Sequence, residues 1–430
     1  SPLAAAEALT VINKHWEHSP FQLKRTLDQA FCSGINSLII HTFTHSPQDA
    51  GLPGYEYFAG THFNPQVTWW KQAHAFTDYI SRCQFLLQQG NFVADVCFYQ
   101  GGQIPNFVPM KHIDPGLGPG YDYDIVNSEV ILKRMSVSNG KIVLPGGMEY
   151  RLLVLPNKEK IDPAVLKKLA ELIRAGATIT GPKPTKAYGL TNYPINDSLV
   201  NTIAKRIWGN CNGKKIWEHK FGKGKIVCGK TPREILLDMG ILPDFEYKSQ
   251  SKDTKLDYIH RSVFGPTGHV EIYFVANLLN RWENVECTFR VKDMLPEIWN
   301  PETGKIDKLA IYVVKNKRTT LPLRLSPLGS VFVVFRKREQ QMHIATLWRN
   351  SELIFPSSSS GGKEKVASNN VDVFAKGRKQ LLFQTQEPGD YQFIVNDGSN
   401  LNVKIASIPQ PISVRGPWIV HFPQGWGAPD

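Results

Sequence analysis

A chain combining α/β modules with all-β modules is predicted, and three observations predict it. Short apolar runs alternate with helical periods up to about residue 250, apolar spacing then switches to a period of two, and 430 residues are too many for one core. The expected divisions are residues 1–90, the last βα units of a parallel barrel; 91–250, a doubly wound α/β domain; 251–339, a β-sandwich; 340–410, a second β-module; and 411–430, the first strand of a further sandwich.

The elements follow in order. Leu3 to Leu9 is a short apolar strand interrupted by one acid, Glu7. Ser19-Pro20 supplies an N-cap and a first-turn proline; Leu23, Leu27 and Phe31 then recur at helical spacing, and Gly34 closes the helix. A second strand runs to Ile40, and a long helix is expected from Pro65 to Gln89. Two or three such units cannot close an eight-stranded barrel, which takes about 250 residues. In the next module, Phe92–Tyr99, Lys141–Leu144, Tyr150–Leu155, Ala177–Thr180 and Lys225–Cys228 read as strands. Helices are expected over 125–135, from Asp162-Pro163 to Gly176, and over 232–240. Beyond residue 251, Glu271–Val275 and Val331–Phe335 are strands, and Asn300–Gly304 is a turn. A Ser/Gly loop covers Ser357–Gly362, and Gly416–Phe422 reads as a strand. A lone strand cannot bury its face, so the sequence is expected to be part of a longer protein.

The candidate site lies where the second strand stops. After Ile39-Ile40 come His41-Thr42-Phe43-Thr44-His45, whose side chains alternate along an extended chain. The loop beyond carries Tyr55, Glu56, Tyr57, His62, Phe63, Asn64, Trp69 and Trp70. Flat rings beside amides and charges suit a sugar, whose faces are apolar C–H and whose edges are hydroxyls. A parallel barrel also presents its site at the carboxyl ends of its strands. A single His or Trp there is as readily a core residue; the constellation on one loop is what favours binding. Trp69 and Trp70, as neighbours on a helix, would diverge by about 100°.

Composition narrows the classes. The net charge of +12 sits in scattered pairs such as Lys167-Lys168, Lys214-Lys215 and Arg336-Lys337, which argues against nucleic acid and for a glycan, acidic ones included. No run nears the roughly 18 apolar residues of a membrane span. The turns Gly101-Gly102 and Gly146-Gly147 do not complete a dinucleotide or phosphate motif. Six cysteines lie far apart without CxxC; most read as buried free thiols, with a Cys211–Cys228 bridge left open.

Glu7 in its apolar strand, His41–His45, Gly60-Thr61-His62-Phe63-Asn64 and Thr68-Trp69-Trp70 resemble family 106 glycoside hydrolases, the α-L-rhamnosidases. The similarity continues through Gln88-Gln89-Gly90, Tyr121–Asp124, Leu144–Gly147, Tyr150-Arg151, Phe274–Asn277, Pro296–Pro301 and Gly416-Pro417-Trp418 to Gly425-Trp426-Gly427. It implies an inverting hydrolase that releases α-L-rhamnose from glycans, using two carboxyl groups roughly 6.5–9.5 Å apart. Glu7 matches the base; His41, Thr42, His45, Glu56, His62, Asn64, Trp69 and Trp70 are the substrate-binding candidates. No metal ligand or cofactor is expected in this chain, although the resemblance implies calcium in the complete enzyme, on earlier barrel strands together with the acid. The isolated chain is therefore expected to be inactive. Secretion or a periplasmic location fits a glycan-degrading enzyme. Two alternatives stand beside it: another barrel glycosidase, such as a β-galactosidase with an amidotransferase-like second domain, and a non-catalytic glycan-binding protein.

Overall fold

The structure is a computed structural model that describes residues 3–12, 16–102, 111, 117–266, 268–337, 341–360, 363–365 and 370–422. Gly425-Trp426-Gly427 therefore lie outside the described residues. The chain divides into two compact units, residues 91–246 and residues 1–90 with 247–430.

Residues 91–246 form a six-stranded sheet. Numbered within this unit, its strands are Val96–Tyr99, Tyr123–Val126, Leu152–Val154, Thr178–Thr180, Glu218–Phe221 and Gly224–Val227, and they stand in the order 2-1-3-4-6-5. All pairs are parallel except the edge strand Glu218–Phe221. Strands buried on both faces carry apolar residues at most positions. Cys97, Leu153, Ile179 and Ile226 point into one layer with Leu166, Leu169, Ala204 and Ile207; Val96, Leu152, Val154 and Val227 point into the other with Ile235 and Leu236. The helices Pro163–Ala175 and Ile195–Trp208 cover the first face and Pro232–Asp238 the second. That strand order with helices on both faces is an open, doubly wound sheet. The expected helix over 125–135 is shorter, Ser128–Arg134. Tyr123–Val126 instead pairs with Val96–Tyr99, and Asn127 caps the helix by accepting from the Val130 amide at 3.0 Å. Cys211 and Cys228 form a disulfide, while Cys32, Cys83, Cys97 and Cys287 are buried thiols.

In the other unit, Ala5–Ala8 and Ser37–Ile40 pair in parallel, with Glu7 opposite Ile39. The helix Pro20–Cys32 lies between them in sequence, its start fixed by the Ser19 amide donating to Gln22 Oε1 at 2.9 Å. A second helix, Ala73–Leu87, follows the loop. The helix Pro20–Cys32 packs on a sheet built from the later part of this unit. Phe31 meets Phe274 edge-on at 6.0 Å, against a sheet that joins Leu256–Gly265, Gly268–Asn277, Ser330–Arg336, Leu295–Trp299 and Ile306–Lys308. The opposite face of that sheet carries Tyr273 and Phe335, which meet Phe289 of a second sheet at 4.8 and 5.4 Å. Alternation along one strand thus serves two cores: Tyr273 inward to the sheet pair, Phe274 outward to the helix. A third sheet runs Glu352–Phe355, Ile344–Arg349, Gly389–Val395, Asn400–Ile405. Gly416–Phe422, expected as a strand, belongs to no strand, and Trp418, Ile419, Val420 and Phe422 are exposed.

Candidate active site

The site grows from the carboxyl ends of the two parallel strands. Pairing Glu7 with Ile39 places both on one face of the strand pair, and both are exposed. The other face, with Ala6, Ala8, Leu38 and Ile40, is half-buried. Glu7 Oε1 accepts from the Thr10 hydroxyl at 2.6 Å, which fixes the carboxylate at the strand's end.

Two loops leave these strands and are stitched together. The Gly60 amide donates to Val11 O at 2.7 Å, and the Thr61 amide reaches both Leu9 O and His41 O at 3.0 Å. The Thr42 amide donates to Thr61 O and the Phe63 amide to Thr42 O, each at 3.0 Å. So Gly60–Phe63 runs beside both strand ends. A Cβ on Gly60 would stand 2.6 Å from His41 Nδ1, and its φ of +104° is one that glycine tolerates.

The candidate residues separate within this frame. His41 is half-buried with its ring edge-on to Tyr57 at 5.3 Å, and His62 is fully buried against the Trp16 ring at 4.3 Å. The Tyr57 amide donates to His62 Nε2 at 3.4 Å. Glu56 accepts a hydrogen bond from the Trp16 indole, so its carboxylate is tied although exposed. Asn64 is buried and serves the loop itself: Nδ2 donates to Thr44 O at 2.9 Å and Oδ1 accepts from the Gln66 amide at 3.1 Å. Thr42 acts through its backbone, and His45 is exposed.

The long helix does not begin at Pro65. A 3₁₀ turn covers Trp70–Gln72 and the α-helix starts at Ala73. The two indoles therefore do not diverge as neighbours on an α-helix would. Trp69 and Trp70 both set their rings edge-on to Phe63, at 5.2 and 5.8 Å, and Trp69 Nε1 donates to His18 O at 3.2 Å. Trp16 and His18 are site residues that sequence reasoning missed. The available signal was an aromatic in the polar stretch that follows a strand's carboxyl end.

No group of three His, Cys, Asp or Glu converges on a metal position among the described residues. In residues 91–246, the turn Gly101-Gly102 after the first strand lies against Tyr188. A Cβ on Gly101 would meet Tyr188 and Pro156, and one on Gly102 would meet Tyr188, each at 3.4 Å.

The α-L-rhamnosidase profile of glycoside hydrolase family 106 matches residues 1–313, nearly three-quarters of the chain. The chain belongs to this family. A rhamnosidase from Novosphingobium sp. PP1Y superposes with a TM-score of 0.70 at 30% identity, over 81% of this chain and 34% of that one. A Formosa agariphila protein named "Putative beta-glucuronidase" is 36% identical over 343 residues, 79% of this chain and 27% of that protein. The rhamnosidase-family chain thus spans about a third or less of these relatives' length. No helix among the described residues is long and apolar enough to cross a membrane.

Proposed function

We propose that this chain contributes part of the active centre of an inverting α-L-rhamnosidase, with Glu7 as the general base that activates water. One observation carries the reading. The parallel register puts Glu7 on the exposed face of the strand pair, two residues from where the chain passes into the stitched aromatic loops. A carboxylate there can take a proton from water while a second carboxyl group, on the opposite side of the sugar ring, protonates the leaving oxygen. The rings of His41, Tyr57, Trp69 and Trp70 gather beside the same strand ends, and an aromatic face suits the C–H face of a deoxy sugar. The barrel-remnant reading of residues 1–90 rests on the same parallel pair and its helices. An amidotransferase-like origin for residues 91–250 fits the 2-1-3-4 strand order. The charge of +12 favours acidic, rhamnose-bearing glycans, and the Cys211–Cys228 disulfide favours secretion or the periplasm.

The test is Glu7→Gln in the enzyme that carries this chain, assayed on p-nitrophenyl α-L-rhamnoside. Turnover should fall by at least about 10²-fold with the melting temperature preserved. Near-normal kcat would remove Glu7 from the mechanism.

A further inference from the structure

We propose that the doubly wound unit carries a docking face for a polyuronate, built where the helices Pro163–Ala175 and Ile195–Trp208 end against the hairpin of Glu218–Phe221 and Gly224–Val227. Charge is unevenly spread along the chain. Residues 198–230 hold eight Lys or Arg against one acid, Glu218, and so carry more than half of the net +12. The fold gathers these cations with Arg174. Arg174 and Arg206, from the last turns of the two helices, both set their guanidiniums over the Phe221 ring, at 5.4 and 5.3 Å. The Lys223 amide donates to Arg174 O at 3.0 Å, which holds the hairpin turn at the same corner. Lys220 stands opposite Lys225, whose Nζ donates to Glu218 Oε2 at 2.6 Å. That hydrogen bond, with the charges of Lys225, Lys220 and Lys230, keeps the Glu218 carboxyl below its ordinary range. Arg174, Arg206, Lys220 and Lys223 are exposed and form no ion pair among the described residues.

Local rules account for only part of this charge. Cations in a helix's last turn complement its dipole, and lysine on an edge strand discourages edge pairing. Those rules cover Arg174, Arg206 and Lys220, but not Lys214, Lys215 and Lys223, which sit in the connecting turns. The loop from helix to hairpin is also firmly held. Asn212 Oδ1 accepts from the amides of Lys214, Lys215 and Ile216 at 3.0, 3.0 and 3.1 Å. The Cys228 amide donates to Trp217 O at 2.8 Å, and the Cys211–Cys228 disulfide closes the segment. Cations ordered in advance meet a polyanion with little further loss of freedom. A guanidinium offers two parallel N–H groups to the two oxygens of a carboxylate, and Arg174 and Arg206 use theirs on no described protein carboxylate. Repeated carboxylates along a sugar chain are the complement of this face. The disulfide and the glycoside hydrolase family favour such a glycan over nucleic acid.

The face rests on the reading of an acidic glycan partner and not on Glu7 as base. Its test reads binding without turnover, so either test can fail alone. Fluorescein-labelled oligogalacturonate, titrated with the 430-residue protein at low salt and followed by anisotropy, supplies it. Arg206→Gln, Lys220→Gln and Lys223→Gln together should lower affinity about tenfold, the scale of three exposed ion pairs. Lys214→Gln, Lys215→Gln and Lys223→Gln together leave the Phe221 contacts intact and should act alike at the wild-type melting temperature. Lys252→Gln, Lys315→Gln and Lys379→Gln together remove the same charge from exposed lysines outside this unit, and should cost about twofold or less. Equal losses in all three variants would mean attraction by net charge alone and overturn the proposal. Absence of binding, or tighter binding of dextran sulfate or duplex DNA than of oligogalacturonate at equal charge, overturns it as well.

Discussion

Lys24 shows how little one residue's surroundings follow from its type. On a helix with Asp28 four residues on, it reads as half of a solvated surface pair. Instead it is buried, and its Nζ donates to Asp28 Oδ2 at 2.8 Å, Leu328 O at 2.9 Å and Ser330 Oγ at 2.9 Å. The Tyr79 hydroxyl closes the group by donating to Asp28. Burial pushes the Asp28 carboxyl above its ordinary range, and Lys24 is the main influence pulling it back. Removing only the cation strands a carboxylate, so Lys24→Met should cost about 3–5 kcal/mol at pH 7, whereas Lys24→Met with Asp28→Leu should recover most of it. The sign of the pH dependence follows. Without Lys24 the folded-state pKa rises further above the unfolded value of 3.8. Asp28 is then protonated in both states at low pH, but as pH rises the unfolded state ionises first and stability falls. Urea melts should therefore show a smaller deficit for Lys24→Met near pH 4 than at pH 7; an equal deficit at both would contradict this account.

Among elements, the loops at the strand ends were legible in composition and not in contact. The polar and aromatic content of residues 41–70 marked them, yet no pattern indicated that Gly60–Phe63 would lie beside both strands at once. Gly60 is the residue this contact depends on, since a Cβ there would approach His41 Nδ1 and O at 2.6 and 2.9 Å with φ at +104°. Gly60→Ala should lower stability by roughly 1–3 kcal/mol and reduce turnover together, as His41 and the loop are pushed apart. Hydrogen exchange should locate the loss at residues 9–11 and 41–63; a variant with wild-type protection there would show that the loop tolerates the methyl. The helix Ile195–Trp208 was overlooked although Val200, Ala204, Ile207 and Trp208 recur on one buried face. Its weak start explains this: Pro194 at the N-cap position makes no side-chain cap, whereas Ser19 and Asp162 stand at helix starts that were recognised.

At the scale of the whole molecule, buried thiols and phenols set an alkaline limit. Burial raises Cys83, Cys97 and Cys287 above the ordinary thiol value of 9.0, and Tyr79, Tyr150 and Tyr312 above the ordinary phenol value of 10.0. Below those values folded and unfolded states hold the same protons. Above them the unfolded state deprotonates first, so stability is lost as pH climbs. The melting temperature should fall steadily above about pH 9, with the buried thiols becoming reactive only as the protein unfolds. Thiol labelling at pH 9.5 that runs ahead of unfolding would contradict this burial.

The sequence by itself determined which segments could be strands and which helices, because periods of two and 3.6 and the caps at Ser19 and Asp162 are local properties of the chain. It also determined the family, since motifs from Glu7 to Pro301 keep their order along the chain. Tertiary structure alone decided which residues meet. Trp16 reaches Glu56 and His62, Phe31 packs on Phe274, and Cys211 bonds to Cys228 across separations that no local pattern encodes. It also decided which face of Ala5–Ala8 is exposed: alternation specifies two faces, but only the packing of neighbouring elements settles which one is covered, and here that leaves Glu7 open.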